Sequence, residues 1–362
     1  MRKHKFYKNQ KKEGKKMKRF SAILLVVCMI LSLCACGSSP TSPSDSTNES
    51  TPETTPKAAA TDNYPAEIIN VVIPTDEGGA VDRAVQAFTS VWSKKLGATF
   101  QSSFYPGANG QVGYEYFVTT EPDGYTLLCN NIGPDMLMYS TQQPGYDFPG
   151  DYTYFAAMDS DPCVIWVSKD SPFDTIEDLI EEAKTRTVTI ATSRFPHPAT
   201  LACLILAEQT GADFNIIPYG GGSATRNAGI TGEVDAVTTQ LSSSSDLLSE
   251  VKVLILFDDE NNWAELSQDA PVPSDKGWNI PAMGVNRAWA VSNKFIEDYP
   301  ERFELLVKTF EEAMNDPEVL EAFKAAGMDP STIGYIDMEG AMKIAKETLA
   351  MANEYAEILA GG

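Results

Sequence analysis

Two glycine-bearing loops roughly thirty residues apart carry the chemistry this chain offers. The first reads Ile73-Pro74-Thr75-Asp76-Glu77-Gly78-Gly79-Ala80-Val81-Asp82, the second Tyr105-Pro106-Gly107-Ala108-Asn109-Gly110-Gln111-Val112-Gly113. Each follows an apolar, strand-like run and opens a helix-like one. Glycine at such a junction lets backbone N–H groups and a helix N-terminus face one small anion. On adjacent parallel strands, two such junctions make one wall of a pocket suited to a carboxylate. Pro74, Thr75, Gly78, Gly79 and Asp82 at the first loop, and Gly107, Ala108, Asn109 and Gly110 at the second, are the candidate ligand-binding residues; Asn131 and Gly133 extend the set past the next strand. About four to six charge-assisted contacts, at roughly 1.5–3 kcal/mol each, support micromolar binding once immobilisation costs are met. A single loop of this kind is more often only a tight turn; two in matched topology favour a ligand. An ionised Asp82 cannot donate to a carboxylate, so its expected role is to cap its helix or order the loop.

The elements that must position these loops alternate. Val71–Pro74 reads as a strand, Ala80–Leu96 as a helix, Phe100–Tyr105 as a strand, Gly110–Thr119 as a helix and Thr126–Asn130 as a strand. Alternation at this spacing implies a parallel sheet with right-handed crossovers and ligands beyond the carboxyl ends of the strands. Cys163–Ser168 reads as a strand crossing to a second lobe. There Ile176–Lys184, Ala199–Thr210 and Ser223–Thr231 are helical, and Thr187–Ala191, Asn215–Pro218, Ala236–Gln240 and Val251–Phe257 are strands. The chain returns near Ala288–Val291 and ends in long helices over Pro300–Asn315 and Glu339–Leu359. The second lobe offers Ser193 and Arg194 after one strand, Tyr219, Gly220, Gly221, Ser223 and Thr225 around the next helix start, and Gln240 at a strand end. Arg194 is either a bidentate clamp on a distal carboxylate or a solvated loop charge.

Catalytic machinery is missing from the pattern. His197 is the one histidine after the leader, between Pro196 and Pro198, and has no partnered nucleophile. The Ser242-Ser243-Ser244-Ser245-Asp246 run reads as a turn and helix cap. No Ser-His-Asp, phosphate-loop or HExxH arrangement occurs, so an enzyme is not expected, nor a cofactor or metal. Cys129, Cys163 and Cys203 cannot all pair and lack CxxC spacing, which leaves buried free thiols.

The N-terminal segment is an export signal by composition. Lys and Arg dominate up to Arg19, Ala22–Leu33 is almost wholly apolar, and Leu33-Cys34-Ala35-Cys36 forms a lipobox that makes Cys36 the expected lipidation site. The apolar run falls short of the roughly 20 residues a membrane-spanning helix needs. Residues 1–35 are thus a signal peptide and 36–63 a lipidated cysteine followed by a Ser/Thr/Pro-rich tether, which reaches about 30 Å as a flexible coil. The leader holds ten of the 28 basic side chains and one of the 50 acidic ones, so the remainder carries 18 against 49, a net charge near −31. Such a charge argues against nucleic acid or anionic membrane surfaces as partners.

The ordered set Ile69-Asn70-Val71-Val72-Ile73-Pro74, Gly78-Gly79, Asp82, Pro106-Gly107-Ala108-Asn109-Gly110, Glu121-Pro122-Asp123-Gly124-Tyr125-Thr126-Leu127-Leu128, Ile217-Pro218-Tyr219-Gly220-Gly221-Gly222-Ser223-Ala224, Gly232-Glu233-Val234-Asp235, Asp316-Pro317-Glu318-Val319 and Gly327-Met328-Asp329-Pro330 resembles the extracytoplasmic substrate-binding receptors of tripartite tricarboxylate transporters, the Bug/TctC family. It covers nearly all of Tyr64–Gly362. The resemblance implies an α/β, two-lobed periplasmic-binding-protein type II fold, each lobe a mostly parallel sheet flanked by helices, with the ligand cleft between them. Lobe one would comprise residues 64–162 plus 286–362 and lobe two residues 163–285. With the lipobox at Cys36, it implies a lipid-anchored receptor on the extracytoplasmic face of the cell membrane. Such a receptor captures a di- or tricarboxylate or an amino acid and delivers it to the large and small subunits of a membrane permease. A ligand sensor serving a signalling receptor is the rival. The first loop departs from the family at Thr75-Asp76-Glu77, where aromatic, small or proline residues are usual, and Asn109 stands where glycine is common. Two acids beside a carboxylate site either point away or select an amino-bearing or metal-complexed ligand.

Overall fold

The computed structural model describes residues 63–361. The expected signal peptide, Cys36 and the tether up to residue 62 lie outside the described residues. Two six-stranded sheets organise the body. The first draws on β1 (Ile69–Ile73), β2 (Phe100–Phe104), β3 (Thr126–Asn131) and β4 (Tyr152–Asp159), with β11 (Arg287–Ser292) and β12 (Ile333–Ile336) returning from the far end of the chain, in the order β12-β4-β11-β3-β1-β2. Its first four strands run one way and the two late ones run against them. The second sheet holds β5 (Asp161–Ser168), β6 (Val188–Thr192), β7 (Phe214–Pro218), β8 (Ala236–Gln240), β9 (Val251–Phe257) and β10 (Gly284–Val285), in which β5 opposes the rest.

A helix follows each of six strands. In lobe one α1 (Ala80–Leu96), α2 (Gln111–Phe117) and α3 (Ile132–Gln142) follow β1, β2 and β3; in lobe two α4 (Ile176–Ala183), α5 (Pro198–Thr210) and α6 (Gly222–Ile230) follow β5, β6 and β7. Helix α1 buries Val81, Ala84, Val85, Phe88, Val91 and Trp92 at helical spacing, and ends at Gly97 with φ 71° and Lys94 and Lys95 in its last turn. That apolar face meets the returning segment. Trp92 lies 5.2 Å from both Trp289 and Phe310, Phe88 lies 4.5 Å from Phe310, and the Trp92 indole donates to Thr309 Oγ1 at 3.0 Å. Helix α5 is apolar on nearly all sides and accordingly buried.

Five further helices close the chain: α7 (Asn293–Asp298), α8 (Pro300–Met314), α9 (Pro317–Ala325), α10 (Met338–Glu354) and α11 (Ala356–Gly361). The single helix expected over Glu339–Leu359 is broken at Tyr355, whose φ of −98° and ψ of 19° leave the helical well. The strands β4, β10 and β12 and the helices α3, α7 and α9 had no counterpart in the sequence reading. Only Ser160 separates the end of β4 at Asp159 from the start of β5 at Asp161, two residues before the expected Cys163, so the crossing is short. Asp159 is fully buried and accepts from the backbone N–H and the guanidinium Nη1 of Arg287, which is 3 % exposed, while Asn286 Nδ2 donates to the Asp159 carbonyl at 2.9 Å. Asp161 turns the other way and accepts from the backbone N–H of Ser242 at 2.9 Å and from its hydroxyl. One aspartate therefore ties the crossing to lobe one, its neighbour ties it to lobe two.

Candidate functional site

Both glycine loops emerge at the carboxyl ends of neighbouring parallel strands, β1 and β2. Asp82 is 1 % exposed, and its carboxylate accepts the Gly78 N–H and the Gln86 amide, each at 2.8 Å. It orders the loop from beneath. The Gly79 N–H donates to Asp76 O at 3.3 Å, and the Gly110 N–H to Gly107 O at 2.9 Å. Three glycine N–H groups that the sequence offered as ligand donors are thus spent within the loops, because a tight turn closes on its own carbonyls and a buried carboxylate needs donors. Asp76 and Glu77 are exposed.

Four consecutive residues of the second loop, Gly107 (φ 125°), Ala108 (45°), Asn109 (55°) and Gly110 (105°), occupy the left-handed half of backbone space. Ala108 gains nothing intrinsic from that conformation, which costs an L-residue about 1–2 kcal/mol. Its surroundings impose the shape. A Cβ on Gly113 would lie 2.7 Å from Pro74 Cβ, and one on Gly110 3.5 Å from Pro74 Cβ and 3.7 Å from Asn130 Nδ2, so the two loops and the end of β3 are in direct contact. Gly133 opens α3 against the other lobe; a Cβ there would meet Gly284 O at 2.5 Å and Pro198 Cγ at 2.7 Å.

Lobe two sends Arg194 across. Its Nη1 donates to Asn109 O at 3.1 Å, and its own carbonyl accepts from the hydroxyls of Thr192 and Thr200. Arg194 is half-buried, with its guanidinium set against the second glycine loop. Ser193 beside it is likewise half-buried. The other lobe-two candidates are engaged locally: Tyr219 donates to Glu233 at 3.0 Å, and Thr225 to Gly221 O at 2.8 Å. Gly220, Gly221 and Ser223 line the start of α6, and Gln240 ends β8 half-buried. Arg226 pairs with Asp246. His197 caps α5, its Nδ1 accepting the Ala199 N–H at 3.1 Å; burial and then the Arg194 charge hold its pKa at about 3, so it is neutral. The serine run forms a 3-10 turn over Leu241–Leu247.

Buried polar atoms without protein partners gather at this edge. They include Thr75 Oγ1 past β1, Asn130 Oδ1 and Asn131 Oδ1 at the end of β3, and Arg287 Nε, whose residue pairs with Asn131 in register. Burial lowers Arg287 to about 10, which leaves it cationic at neutral pH. Beneath them lies a group that sequence reasoning missed. Asp135, in the first turn of α3 and 1 % exposed, accepts from the Tyr114 hydroxyl, the Tyr154 hydroxyl at 3.4 Å and Asn130 Nδ2 at 2.7 Å. Burial pushes its carboxyl up to about 7, opposed first by the Arg194 charge and then by the tyrosine hydrogen bonds. Burial lowers Arg194 in turn, and Asp135 raises it. The only hint in the sequence is an aspartate directly after Gly133-Pro134 at a helix start. Among the described residues no cluster of His, Cys, Asp and Glu could hold a metal ion.

Two α/β lobes thus meet where Arg194 reaches the second glycine loop and where Gly133 packs against Gly284 and Pro198. Residues 83–358 match the family described as tripartite tricarboxylate transporter family receptor, and the chain belongs to that family. Its relatives include the protein BugT of Bordetella pertussis, 25 % identical over 279 residues, spanning 74 % of this chain and 83 % of BugT. Among solved structures, MatC from Rhodopseudomonas palustris with bound malate is 18 % identical, covers 82 % of this chain and all of that one, and superposes with a TM-score of 0.67. An R. palustris protein solved with adipate is also 18 % identical, covers 82 % of this chain and 99 % of that one, and has a TM-score of 0.69. At this identity the structures speak to the fold. Among the described residues no helix is long and apolar enough to cross a membrane.

Proposed function

We propose that this receptor captures a small carboxylate-bearing organic acid in the cleft and delivers it to a tripartite tricarboxylate-type membrane permease, while anchored to the extracytoplasmic membrane face through a lipid on Cys36. The observation that carries the reading is Arg194, reaching from lobe two onto the Asn109 carbonyl of a lobe-one glycine loop. There it is a cation at the junction of both lobes in a chain of net charge −22, available to a carboxylate seated against Thr75 and Asn131. The malate and adipate in the two structural neighbours support that ligand class. Capture then favours the closed arrangement because the ligand touches both lobes only when they meet. Exposed Asp76 and Glu77 beside the first loop favour a second reading, an amino-bearing acid whose ammonium faces those carboxylates.

A thermal-shift panel on the full-length protein separates the readings. A ligand at 100 times its Kd adds about 2.7 kcal/mol. Stabilisation by malate, adipate or citrate supports simple carboxylate capture, and stabilisation by amino acids alone supports the second reading. No shift with any carboxylate refutes both. Mass spectrometry of the membrane-extracted protein tests the acyl group on Cys36.

A further inference from the structure

An edge strand keeps half of its backbone N–H and C=O groups free for another strand, and most edges of this molecule are guarded against that. Strand β12 has four residues and a register shift, β10 has two residues, and β7 carries Pro218. Strand β9 is covered by the segment that follows it: its Val253 N–H donates to Gln268 Oε1 and its Leu256 N–H to Pro271 O, each at 3.0 Å. Among the described strands, β2 closes the first sheet with none of these devices. Phe100-Gln101-Ser102-Ser103-Phe104 holds no charge and no proline, pairs with β1 without a shift, and is at least partly exposed at every residue.

The pairing with β1 fixes which groups face outward. The Ile69 N–H donates to Thr99 O, and the Tyr105 N–H to Ile73 O. Alternate residues of a strand serve one neighbour, so the odd-numbered residues spend their backbone groups on β1. Phe100, Ser102 and Phe104 point theirs away from the sheet. Read in either direction, the strand has Phe at both ends and Ser at its centre. Laid antiparallel on itself about Ser102, it sets Phe100 against Phe104, Ser102 against Ser102, and Gln101 against Ser103. Each outward-facing pair then exchanges two N–H···O bonds, about six in all.

We propose that β2 is a docking edge for a second copy of this chain, which adds its own β2 antiparallel across a two-fold axis and joins the two first sheets into one. An isologous contact needs one patch to match itself when reversed. This strand does so in hydrogen bonds, in aromatic pairing and in charge, which favours a copy over a foreign strand. No charged residue opposes another in the register, so the contact escapes the repulsion expected over most of a chain with net charge −22. Phe100 stacks on Trp92 at 4.8 Å, and Tyr105, just past the strand, stacks on the exposed Tyr116 of α2 at 4.1 Å, so apolar surface flanks the ladder. A five-residue ladder with these flanks lies at the low end of interface sizes, under about 1,200 Å², where contacts are transient. The dimer is accordingly concentration-dependent, with a Kd on the order of 100 µM. Antiparallel pairing sets the two clefts at opposite ends of the joined sheet, and the ladder covers neither glycine loop.

Sedimentation equilibrium of the full-length protein between about 10 µM and about 1 mM, at about 50 and about 500 mM salt, tests this. A monomer–dimer equilibrium should appear and tighten with salt as the net charge is screened. Ser102→Pro removes an outward N–H on the axis and none that β1 uses, and Ser102→Lys sets two cations against each other there. Each should weaken the dimer at least about tenfold, and either suffices should the other fail to fold. Cysteines read the register. In a hydrogen-bonded antiparallel pair the Cα atoms lie about 5.5 Å apart, within disulfide reach, so Ser102→Cys should oxidise to a covalent dimer beyond the wild-type level. Copies of Gln101→Cys stand two residues out of step and should not. A protein monomeric throughout, a dimer that the folded Ser102 variants leave unchanged, or equal cross-linking of Gln101→Cys and Ser102→Cys overturns the proposal.

Discussion

Removing the Asp159 carboxylate should destabilise the protein far more than any surface charge change. Asp159 is fully buried and is bound to both the backbone N–H and the guanidinium of Arg287, itself 3 % exposed. Asp159→Ala strands a buried cation, and breaking a buried ion pair from one side costs about 3–5 kcal/mol. For a body of about 300 residues the unfolding entropy near 60 °C is roughly 0.6 kcal/mol/K, so Tm should fall by about 5–8 °C. A pair of apolar replacements removes the stranded charge. The double variant Asp159→Leu/Arg287→Met loses the backbone hydrogen bond but buries no ion, and should recover at least half of the loss. Calorimetry on the wild type, Asp159→Leu, Arg287→Met and the double variant closes a thermodynamic cycle, with Asp159→Ala as the separate measure of the stranded charge. A single-variant loss below about 1 °C, or a double variant no better than Asp159→Ala, would refute the argument that the pair is held by mutual dependence. The pair sits on the crossing between the sheets, so the same variants should also change ligand affinity if its geometry sets how the lobes meet.

Further outcomes follow from the site. Arg194→Ala should weaken malate or adipate binding by roughly 10- to 150-fold, the value of a charge-assisted contact, with little change in Tm, as read by titration calorimetry and thermal melts. Gly113→Ala places a methyl within 2.7–2.9 Å of Pro74 carbons; it should cost about 1–3 kcal/mol by urea denaturation and loosen ligand binding by displacing the first loop. Burial raises Asp161 to about 7, above its unfolded value near 4. Its contribution to stability is complete below about pH 4 and is lost as pH rises through 7, so Asp161→Asn should reduce the fall in Tm between pH 5 and 8 relative to wild type.

Much of the frame was legible in the chain. Helix α1 occupies the expected Ala80–Leu96 because its apolar spacing, preceding glycines and following Gly97 all agree. Strand β4 escaped notice because Tyr152–Asp159 is buried on both faces and shows no alternation. Helix α3 escaped because Gly133 and Pro134 fall inside its first turn, where proline is tolerated but reads as a break. The glycine loops were legible as loops, and the Asp82 role was readable from charge alone. Which N–H groups point inward was not, since that depends on the buried Asp82 and on the carbonyls of Asp76 and Gly107. Asp135 was invisible for a different reason. Its partners come from α2, β3 and β4, so no local pattern marks it, and burial of a carboxylate leaves no trace in composition.

The late arrival of β11 and β12 in the first sheet sets an order of assembly. When the chain emerges N-terminus first, β1–β4 and α1 are present long before residues 287–336, so Phe88 and Trp92 lack Trp289 and Phe310. The second sheet, complete within residues 161–285, can close while the first is still missing its inner strand β11. Bringing Trp289 to Trp92 then requires closing a loop of almost two hundred residues, which the intervening folded unit shortens to a compact insert. The lobe that holds the glycine loops is therefore the last to mature, and a chain stopped before residue 287 would leave β3 as an unpaired edge beside an exposed aromatic cluster.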